Sequence, residues 1–162
     1  MRNSGFYAKY GLHLTQLLFG KKKNMQEEEL IQDWEVPWKH ANSLLNFVLQ
    51  TVNLCGLPIA VIPIKVPETF TLYPMKKNQL YLNVGSYSFV KRSAKQPPYY
   101  HTKIIDEFCF RHDGIKMLYS TTFLKESEFN RIYNGAAYKK LKNKYDSLGV
   151  LPTLFEKAVQ SY

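Results

Sequence analysis

The sequence predicts an α+β fold whose strands and helices follow the order β-α-β-β-α-β, with a helical segment after them. Two observations predict this order. Segments that alternate in polarity flank two apolar patterns with helical spacing, and Pro and Gly residues separate the segments. The order is that of the ferredoxin-like, or split βαβ, arrangement. A chain of 162 residues that is 45% apolar is long enough to bury a core without disulfides.

The first half of this pattern contains a strand, a helix and a second strand. Residues 30–36 alternate in polarity like a strand, and Pro37 fits the first position of a helix. Apolar side chains then recur at helical spacing over residues 41–52. The β-branched run 59–64 predicts the second strand. Because Pro63 cannot donate a ladder hydrogen bond, we expect this strand at an edge of the sheet or at a bulge.

The second half repeats the pattern in the order strand, helix, strand. Residues 80–89 alternate in polarity, and Gly85 within them indicates a bulge or a close backbone approach. The prolines at 97–98 open a helical pattern that stops before Gly114. Residues 115–119 supply the fourth strand.

Three regions are expected along the chain. Residues 1–25 form a peripheral segment, with a pattern over residues 5–20 that fits a short amphipathic helix. Residues 26–120 form the ferredoxin-like domain, and residues 121–162 form a C-terminal helical segment. That segment is predicted to contain three helices, over residues 126–133, over residues 136–145 and from Pro152 onward.

The composition indicates a basic protein. There are 22 Lys and Arg residues against 13 Asp and Glu, a formal net charge of +9. This excess favours anionic partners, among them nucleic acid, a membrane surface or the phosphates of a nucleotide cofactor. Two cysteines make no disulfide framework. The longest strongly apolar uncharged stretch, residues 54–64, is too short to span a bilayer, so neither a transmembrane helix nor a signal peptide is expected.

Several catalytic and cofactor motifs are missing from the sequence. No two glycines stand two positions apart, which excludes the G-x-G-x-x-G turn, and no P-loop can be written. Cys109 and His112 have a spacing that a metal could use, but two further ligands would be needed, so no metal site is predicted. Motifs of serine hydrolases and zinc proteases are absent as well.

An RNA-binding module is one alternative, because such modules share the β-α-β-β-α-β order and stack bases on exposed aromatics. Tyr81, Tyr87 and Phe89 would share one face of the third strand. The match to the characteristic RNA-binding sequence is loose, however. Asp33 and Glu35 in the first strand would also present carboxylates to a polyanion, so nucleic acid is not the favoured partner.

Six stretches resemble, in order and spacing, the C-terminal part of the delta(24)-sterol reductase family, which belongs to the FAD-linked oxidoreductases of the vanillyl-alcohol oxidase type. The resemblance covers about residues 26–161. The sequence departs from the family pattern at Ala60 and Asn130, where large aromatics are usual. The matching stretches are IQDWEVP (31–37), LPIAVIP (57–63), LYLNVGSY (80–87), MLY (117–119) followed by Glu128-Phe129, YKKLK (138–142) and LPTLFEK (151–157).

This resemblance implies a function for the protein. In that family an N-terminal domain holds most of the FAD and a C-terminal cap closes over it to form the substrate pocket. NADPH then reduces a sterol side-chain double bond through the flavin. The chain would be this cap, without the flavin-binding domain and inactive unless such a domain is supplied in cis or in trans. By resemblance the full-length protein would associate with the endoplasmic reticulum membrane, whereas the isolated chain would be soluble.

The resemblance also implies site residues. Tyr119 would be catalytic, as the proton donor, although a tyrosine bonded to backbone in the core fits the same pattern. Tyr81 and Asn83 would line the sterol pocket, or else follow ordinary strand alternation. Three residues on a late helix would face the flavin, although a solvated lysine face explains them as well; they are Tyr138, Lys142 and Lys144. A non-catalytic remnant without a ligand is the third hypothesis.

Overall fold

A computed structural model of the protein describes residues 25–54 and 56–159. This part contains four strands, five α-helices and one short 3-10 helix. The strands are β1 (Met25–Pro37), β2 (Ile59–Lys65), β3 (Leu80–Ser93) and β4 (Ile115–Lys116). The helices are α1 (Ala41–Thr51), α2 (Tyr100–Arg111), α3 (Glu126–Ile132), α4 (Gly135–Tyr145) and α5 (Leu154–Ala158), and the 3-10 helix spans Trp38–His40.

The four strands form one antiparallel sheet in the order β2-β3-β1-β4. The two longest strands are its centre, where β1 pairs with β3 from Met25 opposite Ser93 to Pro37 opposite Tyr81. Since α1 joins β1 to β2 and α2 joins β3 to β4, each helix belongs to one split βαβ unit. The predicted α+β class and its β-α-β-β-α-β order are confirmed, and Pro63 lies in an edge strand as expected.

One face of the sheet buries the main apolar core beneath α1 and α2. Side chains two positions apart share a face of a strand, so β1 and β3 each contribute an alternating set. The core combines Leu30, Trp34 and Val36 of β1, Leu82, Val84 and Val90 of β3, Leu44 and Val48 of α1, and Ile105 and Cys109 of α2.

Several element boundaries differ from the prediction, and two of them lie at the ends of β1 and β4. Pro37 is the last residue of β1 rather than the first of a helix, because its backbone (φ −51°, ψ 144°) remains extended. The fourth strand is shorter than predicted and ends at Lys116. The Met117 amide still donates to the Asp33 carbonyl at 3.2 Å, but the backbone then turns away from the sheet. The predicted helix over residues 5–20 lies outside the described residues.

The helices after β4 cover one end of the opposite face of the sheet. Phe129 and Tyr133 at α3 and Phe155 of α5 pack there with Tyr81 and Ile115. The last helix begins at Leu154 rather than at Pro152. Among the described residues, no helix combines the length and apolarity that crossing a bilayer would need.

Candidate functional site

A cluster of carboxylates and tyrosines lies on the sheet face opposite α1 and α2. We call it the carboxylate–tyrosine cluster. Two strands supply most of it, since alternate residues of β1 and β3 point to this face. Its members are Asp33 and Glu35 of β1, Asn83 and Tyr87 of β3, Tyr73 from the loop between β2 and β3, and Tyr119 from the turn after β4.

Asp33 is the centre of one half of the cluster. The Tyr87 hydroxyl donates to its two carboxylate oxygens at 2.9 and 2.7 Å. The Tyr119 hydroxyl donates to Asp33 Oδ2 as well. Both tyrosines are more than half exposed, at 57% and 55%, whereas Asp33 is only 4% exposed. The two phenol rings therefore cover a buried carboxylate and keep their own faces open to the surroundings.

Gly85 makes room for this carboxylate. It pairs with Asp33 across the β1–β3 ladder, and a Cβ atom at position 85 would lie 2.5 Å from Asp33 Oδ1 and 3.1 Å from the Tyr87 ring. Any larger side chain would displace the carboxylate from its tyrosine partners. The close approach predicted at Gly85 is therefore confirmed.

Glu35 is the centre of the other half and is fully buried. The Tyr73 hydroxyl donates to its Oε2 at 2.5 Å, and Asn83 Nδ2 donates to its Oε1 at 2.8 Å. Burial, assisted by the charge of Asp33 and opposed by these two hydrogen bonds, raises the pKa of Glu35 from 4.5 to about 7. A carboxyl group with a pKa near neutrality can exchange a proton under ordinary conditions.

The glutamate also has a potential partner for its proton. Asn83 Oδ1 is buried and, among the described residues, has no hydrogen-bond partner. The orientation of an amide group is assigned from its hydrogen bonds, and a rotated Asn83 would present this oxygen to a protonated Glu35. Glu35 and Asn83 thus form a pair that can accommodate either protonation state.

Replacing Glu35 by glutamine is expected to remove a pH dependence of the stability. The folded protein keeps the Glu35 proton up to about pH 7, whereas the unfolded protein releases it near pH 4.5. Folding stability therefore falls as pH rises through this window, by roughly 3 kcal/mol for one group with this difference in pKa. The neutral amide in Glu35→Gln carries no such cost. Relative to the wild type, the free energy of unfolding of the variant should therefore rise between pH 4.5 and pH 7 and stay higher by the same amount above pH 7. Urea unfolding measured at several pH values tests this expectation.

The matched control is Glu29→Gln, on the same strand and the same face but exposed to solvent. This variant should keep the pH dependence of the wild type. If Glu35→Gln and the wild type differ by the same free energy at pH 4.5 and above pH 7, Glu35 does not hold a proton in the folded protein.

The exposed tyrosines hold their protons firmly. Burial and the hydrogen bond to Asp33 raise the pKa of Tyr119 well above its usual value of 10. The hydrogen bond to Asp33 and burial raise the pKa of Tyr87 in the same way. Each hydroxyl is therefore a neutral donor at the edge of the cluster, and Asp33 fixes its position.

Three of the predicted site residues lie at this face of the sheet. Tyr119 and Asn83 are members of the cluster. Tyr81 shares the face but lies under the C-terminal helices, where its hydroxyl accepts from the Lys76 amide at 2.9 Å and donates to Gln79 at 3.3 Å. The structure thus brings Tyr119 and Asn83 together and places Tyr81 in the adjoining apolar cluster. Their roles towards a substrate stay predictions.

The other three predicted residues belong to α4, and two of them contact the segment that follows it. The Tyr138 hydroxyl accepts from the Leu154 amide at 2.8 Å. Lys142 donates to the Leu151 carbonyl at 2.5 Å. The Lys144 ammonium lies 5.0 Å from the centre of the Tyr145 ring. The proposed contact of these residues with a flavin stays a prediction.

Sequence reasoning did not assign a role in the site to Asp33, Glu35, Tyr73 or Tyr87. A signal was present in β1, where Asp33 and Glu35 lie two positions apart in the alternating part of the strand and must share one face. Tyr73 gave no signal, because it lies in a loop without periodicity and reaches Glu35 only through the fold.

The fold and the cluster define the protein as a small α+β domain with an ionisable, tyrosine-lined sheet face. It is similar to the delta(24)-sterol reductase of Homo sapiens, at 24% identity over 144 residues, and to that of Mus musculus, at 23%. These matches cover 84% of this chain and 26% of the relatives, so the chain spans about a quarter of their length. No family model matches the sequence, and no solved structure matches it significantly. The resemblance to the sterol reductases is thus confirmed as a distant similarity.

Proposed function

We propose that this protein is the substrate-binding cap of a flavin-dependent reductase that reduces a carbon–carbon double bond in the side chain of a sterol. It would correspond to the C-terminal part of the sterol reductases. In this proposal residues 26–120 are the cap and residues 121–162 the segment after it, in which the described helices span 126–132, 135–145 and 154–158. The distant similarity to the delta(24)-sterol reductases supports the reaction class.

The observation that carries the proposal is the position of Tyr119. Its hydroxyl is fixed by a buried carboxylate, while its ring lies on an accessible face. Exposed apolar side chains share this face of the sheet, among them Ile62 of β2 and Phe89 of β3, at 50% and 61% exposure. A flat apolar molecule that lay beside Asp33 on this face would meet the hydroxyls of Tyr119 and Tyr87 next to apolar and aromatic side chains.

In this proposal two exposed tyrosines would lie against one side of a flavin ring, and a separate domain would hold the rest of the cofactor. The rings of Tyr87 and Tyr119 are more than half exposed, and their hydroxyls are bonded to Asp33. The sequence contains no glycine-rich turn that would hold a diphosphate. We therefore propose that a separate flavin-binding domain, in cis or in trans, holds the FAD, and that this protein closes the substrate side.

The residues of the cap would act on the protons that the reaction needs. When bound, FAD supplies a hydride, which it receives from NADPH, to one alkene carbon. The Tyr119 hydroxyl would turn its proton away from Asp33 and give it to the other carbon, so that the double bond becomes a single bond and two C–H bonds form. Asp33 positions the hydroxyl and makes a lasting phenolate unfavourable, and the phenolate regains a proton from water. Asn83 and Tyr81 would contact the sterol, and Tyr138, Lys142 and Lys144 would face the flavin.

Removal of the gene tests this proposal in the protein's own cells. We expect sterols with an unreduced side-chain double bond to accumulate, and the gene supplied in trans to restore the saturated products, as measured by mass spectrometry of total sterols. An unchanged sterol profile would contradict the proposal and favour a non-catalytic remnant. The change should be confined to the side chain, because that is where the proposal places the reaction.

RNA binding is the second candidate, and the exposure of Tyr87 and Phe89 on a central strand favours it. The buried Asp33 beneath Tyr87 disfavours it, since a carboxylate at this point opposes a phosphate backbone. A salt-sensitive complex with single-stranded RNA that is lost in Tyr87→Ala/Phe89→Ala would support this alternative.

A further inference from the structure

The loop between α4 and α5 exposes an unusual group of apolar side chains. Among the described residues these are some of the most accessible large apolar groups. The group begins with the last residue of α4 and ends before Pro152, and we call it the 145–151 loop. Its exposed members are Tyr145 at 74%, Leu148 at 88%, Val150 at 76% and Leu151 at 65%.

Polar groups within the protein fix the backbone of this loop. Asp146 accepts from the Val150 amide at 2.9 Å and from the Leu151 amide at 3.1 Å. The Gly149 amide donates to the Asp146 carbonyl at 3.0 Å. Lys142 contacts the Asp146 carboxylate and donates to the Leu151 carbonyl. Several backbone polar groups are therefore satisfied inside the loop, which lowers the cost of moving it into an apolar medium.

Lysines on α4 lie next to this apolar loop. The stretch of residues 135–153 contains four lysines and one acidic residue, Asp146, which is paired with Lys142. Lys139 and Lys140 are exposed and have no acidic residue beside them in α4. On the same helix Leu141 and Tyr145 are four positions apart and share a side that leads into the loop. Positive charge thus flanks a projecting apolar tip.

We propose that the 145–151 loop inserts into the surface of an anionic lipid bilayer. Its apolar side chains would enter the boundary between headgroups and acyl chains, Tyr145 would lie at headgroup level, and Lys139 and Lys140 would contact anionic headgroups. This contact with a membrane surface does not depend on the reaction proposed for the carboxylate–tyrosine cluster.

A bilayer fits this loop better than a protein groove does. The charged side chains of α4 are all positive. They complement a uniformly anionic lipid surface better than a protein surface that carries charges of both signs. The exposed apolar side chains come from one turn of seven residues, whereas a stable protein interface needs about 20–30 residues on each side. The loop is also held in shape by its own hydrogen bonds before any partner arrives.

Vesicle flotation with the 162-residue protein tests the proposal. The protein should float with vesicles of phosphatidylcholine containing phosphatidylserine, less with phosphatidylcholine alone, and less again as salt is raised. Leu148→Ser/Leu151→Ser should weaken partitioning by about tenfold or more. Lys139→Gln/Lys140→Gln should weaken it by roughly tenfold on the anionic vesicles only. Leu49→Ser, which removes an exposed leucine of α1, is the matched control and should partition like the wild type.

A second measurement locates the inserted residue. A tryptophan in Leu148→Trp should be quenched by vesicles whose acyl chains carry bromine, with the two natural tryptophans measured in the wild type as background. Flotation that Leu148→Ser/Leu151→Ser leaves unchanged, or a Leu148→Trp signal that brominated lipids do not quench, overturns the proposal. A dimer in solution that the double leucine variant abolishes, without vesicle binding, would instead make the loop a contact between copies of the protein.

Discussion

Replacing Tyr119 by phenylalanine is expected to lower the rate of double-bond reduction by about 100- to 10,000-fold, the contribution of a positioned general acid. Tyr119→Phe removes the one hydroxyl that would protonate the alkene and keeps the ring that would contact the sterol. The maximal rate should therefore fall while KM for the sterol changes little. The measurement compares cells that lack the gene and carry either the wild type or the variant, with reduction rates taken from their extracts.

The control for this variant is Tyr100→Phe. Tyr100 opens α2, which packs on the other face of the sheet, so removal of its hydroxyl should leave the sterol profile of complemented cells unchanged. Full activity in Tyr119→Phe would assign the proton to another group, and a rise in KM with an unchanged maximal rate would make Tyr119 a binding residue only.

Replacing Lys116 by methionine is expected to lower the free energy of unfolding by about 3–5 kcal/mol. Lys116 is fully buried and its ammonium lies 2.9 Å from Asp106 Oδ2. The other Asp106 oxygen accepts from Trp34 Nε1 at 2.7 Å. Burial lowers the pKa of Lys116 and raises the pKa of Asp106, and their mutual attraction opposes both changes. Lys116→Met leaves a carboxylate without its counter-ion in the core, which is the source of the loss.

A double variant separates the unpaired charge from the lost packing. Asp106→Asn added to Lys116→Met keeps an acceptor for Trp34 and removes the charge, while the Thr121 carbonyl keeps its hydrogen bond from Gln32 at 3.3 Å. Most of the stability should return. Arg111→Met is the matched control, since Arg111 pairs with Glu107 at the exposed surface of α2 and should cost less than about 1 kcal/mol. Urea unfolding near neutral pH measures all three variants. A loss in Lys116→Met that the second substitution does not reduce would contradict this explanation.

Periodicity predicted the order of the sheet and helices because the apolar pattern of each element matches the face it buries. The alternating residues of β1 supply Leu30, Trp34 and Val36 to the core. Pro63 predicted the edge position of β2 because proline has no N–H to donate to a neighbouring strand. The predicted end of β1 was wrong, by contrast. Pro37 satisfies the first position of a helix and the last position of a strand equally well, and only the following 3-10 turn distinguishes them.

The candidate site was less accessible to prediction, because its residues come from four separate parts of the sequence. Tyr119 and Asn83 were selected by resemblance, and the structure adds the carboxylates that hold them. The partner of Tyr73, 38 positions away in the sequence, depends on the path of a loop without periodicity. The burial of Lys116 could not be predicted either, since a lysine in a short strand usually faces solvent. Here it faces Asp106 beneath α2.

The long ladder between β1 and β3 has a consequence for synthesis of the protein. At 5–20 residues per second, a ribosome takes roughly 3 to 11 seconds to pass from the end of β1 to the end of β3. During that time the apolar side of β1, with Trp34 and Val36, has no neighbouring strand to pair with, and it resembles the exposed segments that chaperones recognise. In the nascent polypeptide the Asp33 carboxylate therefore stays without its native surroundings for seconds, until Gly85, Tyr87 and finally Tyr119 have been synthesised.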